Sequence, residues 1–447
     1  MEYTITMKES GSTEEALRVV ERFETLPVES RLDVFKKLSA EAREELIGVL
    51  SNPGEIVRRI SEEEMFFTIK QLGEAHAPSL LRATSGRQLR YILDVDLWRK
   101  DMFDPRAAHR WMKAIAGLSG DKVLQLVQVT DRELLAVAMD SVIRVQVTDP
   151  ERDLLEQMDL LPQFTLDNLF FVDFRFPDME DTAKAFLETI FEWSPEFYFG
   201  LMEELARGIP AENEEMALKW RRARLADHGF PEFDEALDIY HYLPQSMLSL
   251  TEPAPPVYDA DEPIGGRAIT EYPLKTIDAE SLFMQGLKRI DDPAHKDRLS
   301  VELAHLANKV IIADGREPGS VDEIQRALRK VGGHINIAIE ESCGYDLSEA
   351  TELLESNHME ILFRRGFSLI LELRKEAQRL IRSHEGGVEN LGHPLAELLK
   401  ALIQKRPFYA AHVIGERENR EFESLDDLKT IRDHMNKAYS EENWEPI

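Results

Sequence analysis

The chain has 447 residues, more than one compact core holds, so two or three domains are expected. Its 43% hydrophobic and 31% charged residues describe a globular chain with a heavily charged surface and exclude a disordered one. Asp and Glu number 84 against 54 Lys and Arg, a formal charge of −30 that repels a phosphate polyanion at long range and argues against nucleic acid as a partner.

The same field attracts basic surfaces and divalent cations, so surface carboxylates could hold Mg²⁺ weakly. The single cysteine, Cys343, excludes an intramolecular disulfide framework and suits a reducing compartment. Met1-Glu2-Tyr3-Thr4 opens without the basic-then-apolar run of a signal peptide. The longest stretch free of Asp, Glu, Lys and Arg runs from Ile239 to Thr251 and is too short to span a bilayer. The expectation is a cytoplasmic protein with no membrane contact.

From the start of the chain, an apolar residue followed by Ser or Thr recurs at Leu38-Ser39, Leu50-Ser51, Ile60-Ser61, Ala83-Thr84, Leu118-Ser119 and Val129-Thr130. A hydroxyl before a helix accepts from a free backbone N–H, and the preceding apolar side chain can staple the turn. Ser61 to Glu64 and Thr130 to Glu133 read as capping boxes, and Leu26-Pro27 marks a further start. Short helical stripes lie between these starts, such as Leu32, Phe35 and Leu38, then Met65, Ile69 and Leu72. Helices this short are marginal alone and must bury their stripes on neighbours, which predicts an α-solenoid over residues 10–141.

The run Leu26-Pro27-x-x-x-Arg31-x-x-x-Phe35-x-x-Leu38, followed by Ser39-x-Glu41-x-Arg43-x-x-Leu46, resembles the cytoplasmic N-terminal helical domain of MgtE-type magnesium transporters over about residues 15 to 140. The resemblance implies a superhelical shape. The membrane part of those transporters has no counterpart in this sequence, so transport is not implied.

Residues 142–250 are expected to be helical with a small β element. Ile143, Val145 and Val147 alternate with polar residues, as do Val172, Phe174 and Phe176, and Asp167-Asn168 suits a turn before the second run. The predicted β-hairpin insertion therefore falls near residues 143–176. Helices are predicted over Asp181 to Trp193, Pro195 to Arg207 and Glu212 to His228. The segment from Trp220 to Pro231, with Glu235-Ala236-Leu237 after it, resembles an uncharacterised bacterial family of unknown function, which implies no activity. A Pro-rich linker follows at residues 251–266, with Pro253, Pro255, Pro256 and Pro263 closing on Gly265-Gly266. Residues 267–447 read as a C-terminal helical bundle, and the fold class is mainly α.

The densest basic patch is Lys219, Arg221, Arg222 and Arg224 beside Trp220. In an acidic chain, Trp220, Arg221, Arg222 and Arg224 are the candidate binding residues, since arginine suits bidentate contact with a carboxylate or phosphate. The same order, Glu212, Glu214 and Glu215 first and cations last, also satisfies the helix dipole.

A metal site of the ferritin-like type could be built from Glu302-x-x-His305 and Glu355-x-x-His358 with Glu340 and Glu341. The apolar stripe Leu299, Leu303, Leu306 and Val310 turns Glu302 and His305 away from the bundle interior, however, so no metal and no cofactor are predicted. Cys343 sits beside acidic residues that oppose thiolate formation, and His334 follows Gly332-Gly333 near an expected helix break. No phosphate-binding loop, nucleophile elbow or zinc-protease motif occurs, and no catalytic residue is assigned. The sequence points to a protein-interaction scaffold with an unidentified protein partner. An enzyme using the C-terminal bundle and a divalent-cation-responsive regulator stand as alternatives.

Overall fold

A computed structural model describes residues 20–148, 161–248, 270–384, 387–415 and 418–441. The protein is mainly α-helical, with two small antiparallel two-stranded sheets among the described residues. These residues fall into two units that divide at Asp227/His228, with Glu317–Val321 belonging to the first. The expected linker at 251–266 lies outside the described residues.

The first unit opens with α1 (Val28–Lys37), α2 (Ala40–Val49), α3 (Gly54–Val57), α4 (Glu62–Leu72), α5 (Pro78–Ala83) and α6 (Gly86–Asp96). A short hairpin of β1 (Trp98–Arg99) and β2 (Met102–Phe103) leads to α7 (Pro105–Ala116), α8 (Gly120–Val129) and α9 (Arg132–Asp140). After β3 (Ile143–Val147) and β4 (Phe170–Phe174) come α10 (Glu180–Trp193), α11 (Pro195–Arg207) and α12 (Pro210–Ala226). Helix α4 packs on α6, α6 on α8 and α8 on α10, so each short helix buries its stripe on one further along the chain. The predicted stripes are the buried ones: Leu32 and Phe35 in α1, and Met65 and Ile69 in α4.

The caps follow the expected chemistry in part. Ser39, Ser61 and Ser119 each accept from the backbone N–H three residues on. Ser51 does not cap; its N–H and hydroxyl both donate to Glu24, and α3 begins at Gly54. Thr84 and Thr130 instead close the preceding helices, donating to the carbonyls of Leu81 and Leu126. The next residue takes over each start: Ser85, in a full capping box with Gln88, and Asp131. A threonine hydroxyl can return to its own turn, which places these boundaries one residue later than the pattern suggests. The box at Ser61 is half made, because Arg43 holds the Glu64 carboxylate at 2.6 Å.

Strands β3 and β4 pair antiparallel, Ile143 opposite Phe174 and Val147 opposite Phe170, within the predicted β region. The predicted turn is present: Asn168 has φ 59°, and the Asp167 carboxylate accepts from the N–H groups of Leu169 and Phe170. The strand ends at Phe174, two residues short of the expected end at Phe176.

The second unit contains α13 (Phe233–Ala236), α14 (Tyr272–Thr276), α15 (Leu282–Arg289), α16 (Pro293–Ala313), α17 (Val321–Cys343), α18 (Leu347–Ser356), α19 (Met359–Ser383), α20 (Leu395–Leu402) and α21 (Leu425–Glu441). Helix α16 packs on α19, α15 on α18, and α20 on both α19 and α21. Phe367, Ile370, Leu395, Leu399, Leu428 and Ile431 lie in one shared core. Gly332-Gly333 does not break α17, contrary to expectation. A Cβ on Gly332 would press into Ile277, and one on Gly333 into the Phe422 carbonyl. The glycines are there for close packing, and burial holds the helix continuous through them.

Among the described residues no helix is long and apolar enough to cross a membrane.

Candidate functional site

Helix α12 carries the candidate binding residues and lies across α9 and α6. Its inner face is Ala217, Arg221 and Leu225, all buried. Arg221 donates to the Asp94 carbonyl at 2.6 Å, and its guanidinium lies 5.6 Å from the Trp98 ring centre. Burial lowers its pKa to about 10, with the Asp94 charge acting in the opposite direction. Arg224 holds both Asp94 carboxylate oxygens, at 2.7 and 2.8 Å, and reaches Asp131 at 2.6 Å. Burial raises the Asp94 pKa, and the Arg224 hydrogen bonds lower it again.

The four candidates thus divide by face. Arg221 and Arg224 fasten the helix to α6 and to the start of α9. Trp220 and Arg222 are on the outer side, Trp220 46% exposed and Arg222 in an exposed ion pair with Asp101 at 2.9 Å. The β1–β2 hairpin runs beside the helix, since the Phe103 N–H donates to Glu214.

Two outer-face residues escaped the sequence reading. Met216 is 40% exposed and Ile209, at the N-cap, 56%. Met216, Trp220 and Ala223 recur at i, i+4 and i+7, with Ile209 seven residues before Met216, so they form one apolar stripe turned away from the buried face. The spacing is visible in the sequence, and the buried Arg221 on the opposite face mounts the helix with this stripe outward.

Next to this mount, Lys70 bridges Glu74 and Asp96, and the Trp111 indole N–H donates to Asp96 at 2.7 Å. A void elsewhere in this unit has apolar side chains such as Leu93, Trp111, Met112 and Phe186 around it, and its Thr130 hydroxyl is spent on Leu126.

Of the two Glu-x-x-His motifs, Glu302 and His305 lie on α16, Glu355 on α18 and His358 at the N-cap of α19. Glu302 is buried, where the sequence turned it outward, because α16 is enclosed over most of its circumference. One of its oxygens accepts from the Met359 N–H at the start of α19, and the other lies 3.6 Å from His358. Glu340 accepts from the Leu425 N–H at the start of α21, Glu341 pairs with Arg365 at 2.8 Å, and Glu355 is exposed. His305 lies against Gly229 and beside His228, with ring centres 6.5 Å apart. The buried Cys343 thiol is pushed up to about 11 by burial and neighbouring acidic charges, which makes it inert.

A cluster that no motif announces surrounds Asp314. Tyr240 donates to it at 2.7 Å, Lys330 meets it at 2.9 Å and Arg406 at 3.0 Å, with both cations over the Tyr240 ring. Burial and the Asp314 charge raise the Tyr240 pKa well above its usual value. Its members come from four separate stretches of chain, so no local spacing could have revealed it.

A family model described as "Family of unknown function (DUF6178)" matches residues 20–443. No curated protein matches, and no solved structure does.

Proposed function

The chain belongs to that family, and we propose that it is a non-enzymatic protein-interaction scaffold whose docking element is the outer face of α12. The supporting observation is the exposed Ile209–Met216–Trp220 stripe on a helix braced from behind by Arg221 and Arg224. Trp and Arg carry much of the binding energy at protein interfaces, and a pre-fixed helix loses little entropy on docking. Trp220 and Arg222 make contact in this reading; Arg221 and Arg224 position the helix. The partner is a protein rather than nucleic acid or membrane, and the setting is cytoplasmic. The MgtE-like stacking of the first helices enters as a proposed extended surface beside α12, and weak Mg²⁺ binding by surface carboxylates as a modulator of it.

The alternative of an enzyme in the second unit draws on the Tyr240–Asp314–Lys330–Arg406 cluster, because perturbed groups gather where chemistry occurs. With Glu421 3.9 Å from Lys330, two acids face the two cations, which favours bracing.

The experiment is native co-purification of the tagged full chain from its own cells, in parallel with Trp220→Asp. A stoichiometric protein retained by the wild type and lost by the variant supports the reading. Identical protein sets from both would remove α12 as the docking element.

A further inference from the structure

The edge of the α12 stripe has an order of charges that selects a partner. Glu212, Glu215, Lys219 and Arg222 are all exposed and recur at i, i+3, i+7 and i+10, so they run down one side of the stripe. The two acids occupy the first half of that edge and the two bases the second. Inverting the helix about its middle exchanges acid for base at both pairs of positions.

That antisymmetry is what a two-fold interface requires, since an isologous contact presents the same patch to itself in reverse. We infer that the partner on α12 is a second copy of this chain, paired antiparallel along the stripe. With the axis near residues 217–218, Met216 opposes the partner's Trp220. Glu215 opposes the partner's Lys219, and Glu212 the partner's Arg222, with the reciprocal pairs generated by symmetry. Flanking charges of this kind set orientation in paired helices. The stripe supplies the apolar seam, and large flexible or aromatic side chains at its centre suit a desolvated core.

Two features of the single chain are compatible with this. The Arg222–Asp101 pair is a surface ion pair with both side chains exposed, and such a pair contributes little to the stability of the single chain. The inner face, fixed by Arg221 and Arg224 to Asp94, need not move. The net charge of −30 opposes approach of two copies at long range, which leaves the ordered edge to favour this one orientation over others.

The inference rests on the interaction reading and narrows it, and its test uses purified full-length protein alone. Sedimentation equilibrium at physiological ionic strength should give a dimer for the wild type in the micromolar range. Trp220→Asp should weaken it about tenfold or more. Two edge variants, one carrying Glu212→Lys with Glu215→Lys and the other Lys219→Glu with Arg222→Glu, should each be monomeric, and mixing them should restore a dimer containing one of each. Far-UV circular dichroism and thermal melting check that every variant is folded. A wild type that stays monomeric, or a dimer indifferent to these changes, overturns the second copy as partner. If cellular capture of another protein still depends on Trp220 in that event, the interaction reading stands without it.

Discussion

Arg224 grips Asp94 through two hydrogen bonds of 2.7 and 2.8 Å, joining residues that stand 130 positions apart in the chain. A planar guanidinium on a carboxylate is the strongest form of ion pair, and Asp94 is buried beneath it. Removing the cation leaves a buried carboxylate without its main partner. Arg224→Ala is expected to destabilise the first unit by about 3 kcal/mol, the low end for a buried pair because the Arg224 side chain is partly exposed. Arg224→Lys should recover only part of that, since an ammonium cannot make both bonds in one plane. Urea denaturation measures both, and a loss in the alanine variant no larger than that of an ordinary surface substitution would contradict the bracing role.

A second pair is buried more deeply. Arg43 bonds Glu64 at 2.6 Å and Thr68 at 2.9 Å, and donates to the backbone carbonyls of Phe35 and Lys36. The side chains of Arg43 and Glu64 are 4% and 1% exposed. Arg43→Met strips the charge partner from Glu64 and removes one donor each from Thr68 and the Phe35 and Lys36 carbonyls, so a loss of about 3–5 kcal/mol is expected. Combining it with Glu64→Leu should return part of that loss, because a well-packed apolar pair no longer carries a buried charge. Parallel denaturation of the two variants decides this. A double variant less stable than Arg43→Met alone would be the contrary result.

Periodicity found most helices because a short amphipathic segment and its caps are local properties. The stripes of α1 and α4, the start of α11 at Pro195 and the Asp167-Asn168 turn all follow from residues within a few positions of one another. What stayed hidden is decided by partners far away. Nothing near Arg221 says that it will be buried under α6, and nothing near Glu302 says that its oxygen will meet Met359, 57 residues on. Gly332-Gly333 read as a break because local propensity disfavours helix there, and tertiary contact with Ile277 and Phe422 overrides it. The candidate patch divides for the same reason: Trp220, Arg221, Arg222 and Arg224 read together as binding residues, and only contact with Asp94 turns Arg221 and Arg224 inward.

Glu302 gives a test that separates its role as an acceptor from its role as a charge. Its carboxylate accepts from the Met359 N–H, one of the unpaired donors at the head of the 25-residue helix α19. Glu302→Gln keeps an amide oxygen there, so stability should stay within about 1 kcal/mol of wild type. Glu302→Ala leaves the buried N–H unpaired and should cost about 1–3 kcal/mol. Thermal melts compare the two. If the glutamine variant fell as far as the alanine variant, the charge rather than the acceptor would be the essential feature.

Helices α17 and α19 cross at a point where Gly366 sits on the His334 carbonyl, and any Cβ at Gly366 would collide with it. The obstruction is backbone, which cannot swing aside as a side chain would. Gly366→Ala is therefore expected to lose more than the usual 1–3 kcal/mol of an overpacked core, about 3 kcal/mol or beyond. Gly117→Ala is the control: Gly117 is an αR residue at the end of α7, with φ −67°, and a Cβ there meets only backbone oxygens of its own last turn, so the change should be small. A Gly366→Ala protein as stable as the control would mean that the two helices separate at little cost.

The same crossing fixes the protonation state of His334. Its ring is fully enclosed, stacked on Phe363 at 4.9 Å and Phe367 at 5.8 Å between centroids, and neither ring nitrogen has a hydrogen-bond partner among the described residues. Burial, reinforced by the positive charge of Lys330 one turn earlier, holds its pKa well below 6.5 in the folded state. In the unfolded chain the imidazole takes up its proton near pH 6.5. Below that value the unfolded state therefore binds more protons than the folded one, and stability falls as the pH drops. Above it both states are neutral, and the contribution is flat. Each pH unit below 6.5 should remove about 1.4 kcal/mol until the folded ring protonates or the unit opens. His334→Phe retains an aromatic ring on Phe363 and eliminates the titration. The difference between wild-type and variant unfolding free energies, followed by urea titration from pH 8 to pH 5, isolates this group from the many carboxylates that also titrate. It should be constant down to about pH 6.5 and then change steadily against the wild type; curves that stay parallel throughout would mean that His334 takes up a proton as readily in the folded protein as in the unfolded chain.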